Sequence, residues 1–242
     1  IVLPDSVTSI GGAAFYGCSG LTSITIPDGV TSIGNSAFYG CSGLISVTIG
    51  NGVTNIGGSA FYGCSGLTSI VLPDSVTSIG DDAFSDCTGI TSITISGGVK
   101  KVGNNAFKNC SGLDTVNIAD LNAWCNISFA NAYSNPLYYA KNLYLNDVLI
   151  TDLVIPEGVT SIKAYVFYNC TPLKSVLISN GVTSIGNSAF YGCSGLKKVN
   201  ITDLNAWCNI SFTDSDSNPL CYAKNLCIND VPVTDLVIPK GL

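Results

Sequence analysis

The chain has 242 residues, a formal net charge of −6 and no histidine. All ten cations are lysine, so the sequence excludes histidine-based general bases, histidine-ligated metals and the bidentate arginine clamps that bind phosphate. The acidic balance argues against nucleic acid as a partner, and no stretch approaches the roughly 18 apolar residues of a membrane-spanning helix. Since only 11% of the residues are charged, the apolar side chains must be buried in another way.

A 23-residue period runs through the sequence. A cysteine recurs at this spacing, and a phenylalanine lies three positions before each one. The cysteines of the first series are Cys18, Cys41, Cys64, Cys87 and Cys110. The pair returns at Phe167 and Cys170 and again at Phe190 and Cys193, which indicates a stack of equivalent coils.

Two longer units interrupt the period. The segment 120–129 recurs at 203–212, which predicts units of 37 residues at about 119–155 and 202–238. No linker or charge block separates the units, so residues 1–242 are predicted to form a single repeat array. The sequence has no initiator methionine and starts and ends inside a unit, which predicts a fragment of a longer chain.

The start of each unit alternates between apolar and polar residues. In the second unit Ile24 and Ile26 flank Thr25, which predicts a short strand with both isoleucines inward. The segment 27–29, Pro-Asp-Gly, favours a turn. After it, Val30 and Ile33 point inward from a second extended segment.

The second half of each unit is predicted to turn back toward the next strand. Asn35 is placed to cap one helical turn through residues 37–39, and Gly40 suits the exit from that turn. No unit can bury its apolar residues alone, so stacking must align them in columns. The pattern predicts an α/β repeat solenoid with a parallel sheet on the concave face and single helical turns on the convex side.

One strand per unit gives ten strands, or a single sheet about 45 Å long at roughly 4.8 Å per strand. The positions counted are Leu3, Ile26, Ile49, Leu72, Ile95, Ile118, Ile155, Ile178, Ile201 and Ile238.

The Ile-x-Ile-Pro strand, the Val-x-x-Ile-Gly step, the Ala-Phe pair and the following Cys-x-x-Leu resemble leucine-rich repeats, and closely resemble the BspA-like class of bacterial surface proteins. The match covers the whole chain. The resemblance implies a right-handed horseshoe or superhelix on a secreted or surface-anchored bacterial protein. It implies host or bacterial surface proteins or glycans as partners, and no catalytic residue, metal or cofactor.

The recurring cysteines are predicted to form a column of free thiols bonded to backbone carbonyls, because free cysteine is among the most buried residue types. Cys221 and Cys227 differ, since their equivalents in the first long unit are Tyr138 and Tyr144. One hypothesis is that they form a disulfide; the alternative is two independent substitutions.

Three surfaces are candidates for binding. The first is the outward column of the strands, which is neutral and partly apolar; the alternative is that such residues merely favour solvated strands. Its members are Thr25, Thr48, Val71, Thr94, Asn117, Val154, Leu177 and Asn200. The second is the row of tyrosines that follows each phenylalanine, which we expect to cover the convex edge instead.

The third candidate is the pair of long-unit inserts, which project from one face in many repeat proteins. Positions that vary between the two copies, such as 130–133 against 213–216, are the better recognition candidates. The insert candidates are Tyr133, Tyr138, Tyr139, Asp214 and Asp216. Residues 143–150 are predicted to form a hairpin around Asn146 and Asp147. Trp124 and Trp207 occur in identical contexts and are predicted to plug the core. Segment 214–218 resembles only the start of a calcium loop, so no metal site is predicted.

The leading functional hypothesis is therefore a non-enzymatic, adhesion-type module that binds protein or glycan through the concave sheet and the inserts. The alternative is a spacer that presents another domain and binds nothing itself. An enzyme is disfavoured, because near-identical copies do not form one asymmetric pocket.

Overall fold

Each coil of the computed structural model, which describes residues 1–234, begins with a short strand on one side, here called the strand face. Along Ser23–Ile26 the two inward isoleucines are buried, and the outward Ser23 and Thr25 are exposed. Among the later strands the outward Asn200 is buried instead, at 8% exposure. The strands of this first series are Ser23–Ile26, Ser46–Ile49, Ser69–Leu72, Ser92–Ile95, Thr115–Ile118, Asn142–Leu145, Asp152–Val154, Ser175–Ile178, Lys198–Ile201 and Leu226–Ile228.

A turn then leads to a second, two-residue strand in most coils. At residues 27–29 the predicted turn is present, and Val30 and Ile33 are fully buried behind it. The strands of this second series are Ser32–Ile33, Asn55–Ile56, Ser78–Ile79, Lys101–Val102, Ser128–Phe129, Ser161–Ile162, Ser184–Ile185 and Ser211–Phe212. Neighbouring strands of each series pair in parallel, with a register of 23 residues between regular coils.

The predicted single sheet of ten strands is wrong in one respect, because the strand face comprises three hydrogen-bonded sheets. The first two strands pair with each other, the next four form a sheet with a return strand, and the last four do the same. Position Leu3 contributes only the isolated bridge between Val2 and Thr25. The tenth predicted strand, at Ile238, and the end of unit 202–238 lie outside the described residues.

The regular coils contain no helical turn at 37–39, which corrects the sequence-based prediction. Ser36 has a left-handed backbone with φ of 55°, so the segment forms successive turns. Its amides alternate between turn bonds and bonds to the next coil, as where Phe38 N–H donates to Ala60 O at 2.7 Å. Asn35 does not cap its own turn: its Oδ1 accepts from Gly58 N–H at 2.8 Å, one coil onward.

Aligned side-chain columns form the core, as the period predicts. Phe38 and Phe61 are fully buried and their ring centroids lie 5.0 Å apart, with planes 7° from parallel. Gly40 adopts the predicted left-handed φ of +68° at the turn exit. The coils approach each other closely: a Cβ on Gly98 would lie 1.8 Å from Asp74 O.

The long units consist of one complete coil and a hairpin. Leu145 pairs with Ile118, 27 residues earlier, so Asn142–Leu145 continues the sheet where the prediction placed an insert. The chain then turns at Asn146 and Asp147, whose φ values of 48° and 64° fit a type I′ hairpin. The return strands are Val148–Leu149 and, in the second long unit, Val231–Pro232.

The first return strand explains one of the two divisions of the strand face. Val148–Leu149 pairs antiparallel with Asn142–Leu145 and so occupies the edge at which the next parallel strand would add. The following strand, Asp152–Val154, therefore starts a new sheet.

Helices occur only in the long units within residues 1–234. The α-helices are Leu121–Cys125, Leu137–Ala140, Leu204–Cys208 and Leu220–Ala223, and the 3-10 helices are Ala132–Ser134 and Ser215–Ser217. Asp120 caps the first helix by accepting from Ala123 N–H at 3.0 Å. None of these helices has the length and apolarity that crossing a bilayer requires.

Candidate binding surfaces

The outward column of the strand face is present, but the structure divides it into two groups. In the first, Thr25 pairs with Thr48, and Val71 with Thr94. In the second, Val154 pairs with Leu177, which pairs with Asn200. The hairpin at 146–149 lies between the groups, so the eight predicted residues do not form one continuous surface.

Asn117 and Asn200 do not present free amides on this face. Asn117 Nδ2 donates to Asp147 Oδ1 at 2.6 Å, and its Oδ1 accepts from Asp147 N–H at 3.1 Å. Asn200 holds Asp230 in the same way, with both distances 3.0 Å. Each therefore clamps a hairpin turn, because a turn folds back over that strand in both long units. Their role as contact residues stays a prediction.

Two connected cavities lie where the first strands end. One, of about 550 Å³, is lined by Val2, Thr25 and Thr48 with Asp5 and Asp28 at its rim. The second, of about 530 Å³, shares Thr48, Ile49 and Asn51 with the first and extends to Val71, Asp74 and Ser75. We call the two together the N-terminal groove.

The N-terminal groove combines exposed side chains with one unpaired hydroxyl. Val71 is 58% exposed, and Thr25, Thr48 and the rim aspartates are exposed as well. Ser75 Oγ is buried and has no hydrogen-bond partner among the described residues. The groove therefore offers aliphatic and hydroxyl groups on its floor and carboxylates along one side.

A separate cavity of about 360 Å³ lies beside the second group of outward residues. Val154, Leu177, Glu157 and Thr202 line it, and Ser179 contributes a buried hydroxyl without a partner in the described part of the chain. The same sheet contains Lys198, whose Nζ forms an ion pair with Asp230 Oδ1 at 2.8 Å.

The hairpins also expose apolar side chains that sequence reasoning missed. Val148 is 69% exposed, Leu149 36% and Val231 66%. The sequence predicts the hairpin around Asn146 and Asp147, and the antiparallel pair confirms it, but the exposure of its apolar side chains follows only from the position of the return strand at a sheet edge.

The predicted insert tyrosines gather on the turn side of the coils. The ring centroids of Tyr133 and Tyr138 lie 4.6 Å apart, and Tyr138 stacks on Tyr168 at 5.6 Å and 14°. Tyr168 stacks in turn on Tyr191 at 4.7 Å, and burial raises the pKa of Tyr168 to about 12. Tyr139 OH accepts a hydrogen bond from the backbone of a preceding coil, so this ring has a structural role.

The insert aspartates of the second long unit have internal partners. Asp214 caps the 3-10 helix by accepting from Ser217 N–H at 2.7 Å, and it also accepts from Ser188 N–H at 3.1 Å. Asp216 Oδ1 accepts from Tyr222 OH at 3.1 Å. Both carboxylates therefore stabilise the insert itself.

Trp124 is a core plug, as predicted, and is 1% exposed. Its indole Nε1–H donates to Val166 O at 3.1 Å, which joins the first long unit to the following coil. Trp207 is also buried.

The cysteine column is a ladder of free thiols, as predicted. Cys64 Sγ donates to Phe38 O at 3.2 Å, and Cys87 and Cys110 make the same bond to the preceding coil at 3.0 and 3.2 Å. Burial raises the pKa of Cys64 and Cys110 to about 12, which keeps both thiols neutral at ordinary pH.

Cys221 and Cys227 are not bonded to each other, contrary to the disulfide hypothesis. Cys221 belongs to helix Leu220–Ala223 and its thiol donates to Ser215 O at 2.7 Å. Cys227 belongs to strand Leu226–Ile228 and pairs with Asn200, so the two residues lie in different elements of the coil.

Known proteins were compared with this chain. The model of the BspA type leucine rich repeat region matches residues 1–114 and 138–218 in six copies. A leucine-rich repeat protein of T. pallidum is 26% identical, with a TM-score of 0.51, over 81% of this chain and 77% of that one. A Bacteroides ovatus leucine-rich repeat protein is 30% identical, with a TM-score of 0.49, over 83% of this chain.

This chain spans about half, 54%, of the length of the Bacteroides ovatus protein. A leucine rich cell surface protein of Faecalibacterium prausnitzii is 26% identical, with a TM-score of 0.41, over 87% of this chain and 68% of that one. No match is found among curated proteins. The T. pallidum structure supports the solenoid fold, and the six matched repeats cover most of the sequence. The chain belongs to the BspA-type leucine-rich repeat family.

Proposed function

We propose that this chain is a non-enzymatic interaction module of a bacterial surface or secreted protein, and that it binds a protein or glycan partner through the strand face. The observation that carries the proposal is the N-terminal groove, whose floor of threonine and valine side chains is open to solvent. Residues with these groups suit both the aliphatic and the polar parts of an extended partner.

Rigidity of the coils supports the same proposal. The coils that form the groove are bonded to their neighbours through the second strand series and the turn ladder, and the first strand series adds pairing except between Ser46–Ile49 and Ser69–Leu72, so the groove is already formed before a partner arrives. A preformed surface loses little conformational entropy on binding.

Family membership supports a binding role and an extracellular location over catalysis. The sequence has no histidine, and its repeated coils present the same groups several times instead of one converging set. The concave curvature of the strand face stays a prediction, as does the fragment nature of the chain.

The test is a glycan array and a pull-down from bacterial and host surface extracts, followed by a paired comparison of variants on the identified partner. The double variant Thr25→Gln/Thr48→Gln fills the groove with long neutral side chains and should weaken binding at least tenfold. The control Ser42→Gln/Ser65→Gln places the same groups at exposed positions of the turn side and should leave binding unchanged. Equal binding by both variants would remove the strand face as the site.

A screen that finds no partner, for a chain with native circular dichroism, would favour the spacer hypothesis. In that case the strand face would serve only as the solvated side of a structural stack.

A further inference from the structure

Charge is distributed unevenly along the solenoid. Residues 1–99 hold six aspartates and no lysine, whereas all ten lysines and the other ten acidic residues lie beyond position 99. The whole formal charge of −6 therefore arises from the first 99 residues. The N-terminal groove lies entirely within this anionic part.

Three of the six aspartates line the groove, and the other three do not. Asp5, Asp28 and Asp74 are exposed and line its two cavities. The remaining three belong to the turn segment 81–86 on another side of the coil. The lone ion pair of the described residues is formed by Lys198 with Asp230, so no lysine neutralises the groove.

Backbone bonds fix the position of two rim carboxylates. Asp28 Oδ1 accepts from Asn51 N–H at 2.7 Å, and Asp74 Oδ1 accepts from Gly97 N–H at 3.0 Å. The second oxygen of each carboxylate has no hydrogen bond among the described residues, so it is available to a ligand. At about 4.8 Å per coil, the row from Asp5 to Asp74, three coils apart, is about 14 Å long.

From this geometry we infer that the N-terminal groove binds an extended, lysine- or arginine-rich polypeptide segment. About five extended residues span 14 Å, so basic side chains four positions apart reach the first and last carboxylates. The aliphatic stems of these side chains lie along Val2 and Val71 while their charged groups reach the rim.

The second group of outward residues provides an internal contrast. The cavity of about 360 Å³ beside this group is lined by one acidic residue, Glu157. The sheet next to it includes Lys198, which pairs with Ser175 of the neighbouring strand. We expect this cavity to have no preference for a basic segment. The inference thus deepens the proposed function, on which it rests, by naming the partner chemistry for one part of the strand face.

The experiment measures fluorescence anisotropy of a labelled decalysine peptide with the intact chain, and an oligoglutamate peptide serves as the negative probe. The variant Asp5→Asn/Asp28→Asn/Asp74→Asn retains an acceptor oxygen at each position and should weaken decalysine binding roughly tenfold. Binding should also weaken from 20 to 300 mM salt, because salt screens exposed charges.

A variant with the same change in net charge is the matched control. Asp81→Asn/Asp82→Asn/Asp86→Asn removes three charges from the turn side, and we expect less than a threefold effect. Equal losses in the two variants would show attraction to net charge alone and overturn the inference. Absence of decalysine binding would overturn it too, whereas the proposed function would fail only if its own partner ignored the Thr25→Gln/Thr48→Gln change.

Discussion

Raising the pH from 8 to 11 should progressively destabilise this solenoid, because its buried thiols are held in the neutral form. Burial raises the pKa of Cys64, Cys110, Cys125 and Cys170 from 9.0 to about 12. Between those values the thiol is protonated in the folded chain and ionised in the unfolded chain. Unfolding then releases protons, so the stability contributed below pH 9 is lost as the pH rises toward 12.

The magnitude follows from proton linkage. Each such thiol lowers the free energy of unfolding by about 1.4 kcal/mol per pH unit across this window. Four of them together lower it by roughly 5 kcal/mol per pH unit, or about 10 kcal/mol over two units. Since the whole stability of a typical protein is about 5–15 kcal/mol, the alkaline unfolding midpoint should lie between pH 9 and 12.

Urea denaturation followed by circular dichroism at pH 8, 9, 10 and 11, under argon with a reductant, checks this expectation. Cys110→Ser keeps a donor for Phe84 O but no longer ionises, so the slope of stability against pH should decrease by about 1.4 kcal/mol per unit. A Cys110→Ser chain with the native slope would refute the reasoning.

Three further changes test the packing. Phe61→Ala removes a buried ring that stacks on two neighbours, so the free energy of unfolding from urea denaturation should fall by about 3–5 kcal/mol. Phe15 is half-buried and stacks on one neighbour, so Phe15→Ala should lower it by about half as much. Equal losses would contradict a stacked ladder. Trp124→Phe removes the indole N–H and leaves Asn135 Nδ2 as the remaining donor to Val166 O, so we expect a loss of about 0.5–1.5 kcal/mol in urea denaturation followed by circular dichroism. An unchanged stability would contradict a stabilising role for the Trp124 bond. Asn117→Ala releases Asp147 and should speed proteolysis at residues 146–149 while the global urea midpoint changes little; unaltered protection of the hairpin would argue against the clamp.

Periodic residues made the solenoid predictable from the sequence. Ile24 and Ile26 alternate with polar neighbours, so their inward direction follows from strand geometry alone. The thiol bonds of the cysteine column were predictable for a similar reason, since a buried donor in a repeated environment needs a repeated acceptor. The resemblance to the BspA-like class predicts the same solenoid fold.

Contacts between non-equivalent parts of the chain could not be predicted in this way. Asn35 matches a helix cap in sequence, yet Ser36 after it has a left-handed backbone and no helical turn forms, so its carboxamide oxygen accepts from Gly58 N–H of the following coil. Asn117 matches the outward column, and only the folded hairpin shows that its amide is already occupied. The tyrosine cluster, too, joins rings from three different coils.

The sequence by itself determined that apolar residues recur every 23 positions and must be shielded by stacking, which is enough to define a leucine-rich repeat array. Only the tertiary structure decided where that array is interrupted and which outward residues remain free. The reason is physical: burial in a column depends on the period alone, whereas hydrogen bonding on the surface depends on which turn folds over which strand, a relation that spans two coils and has no periodic signature.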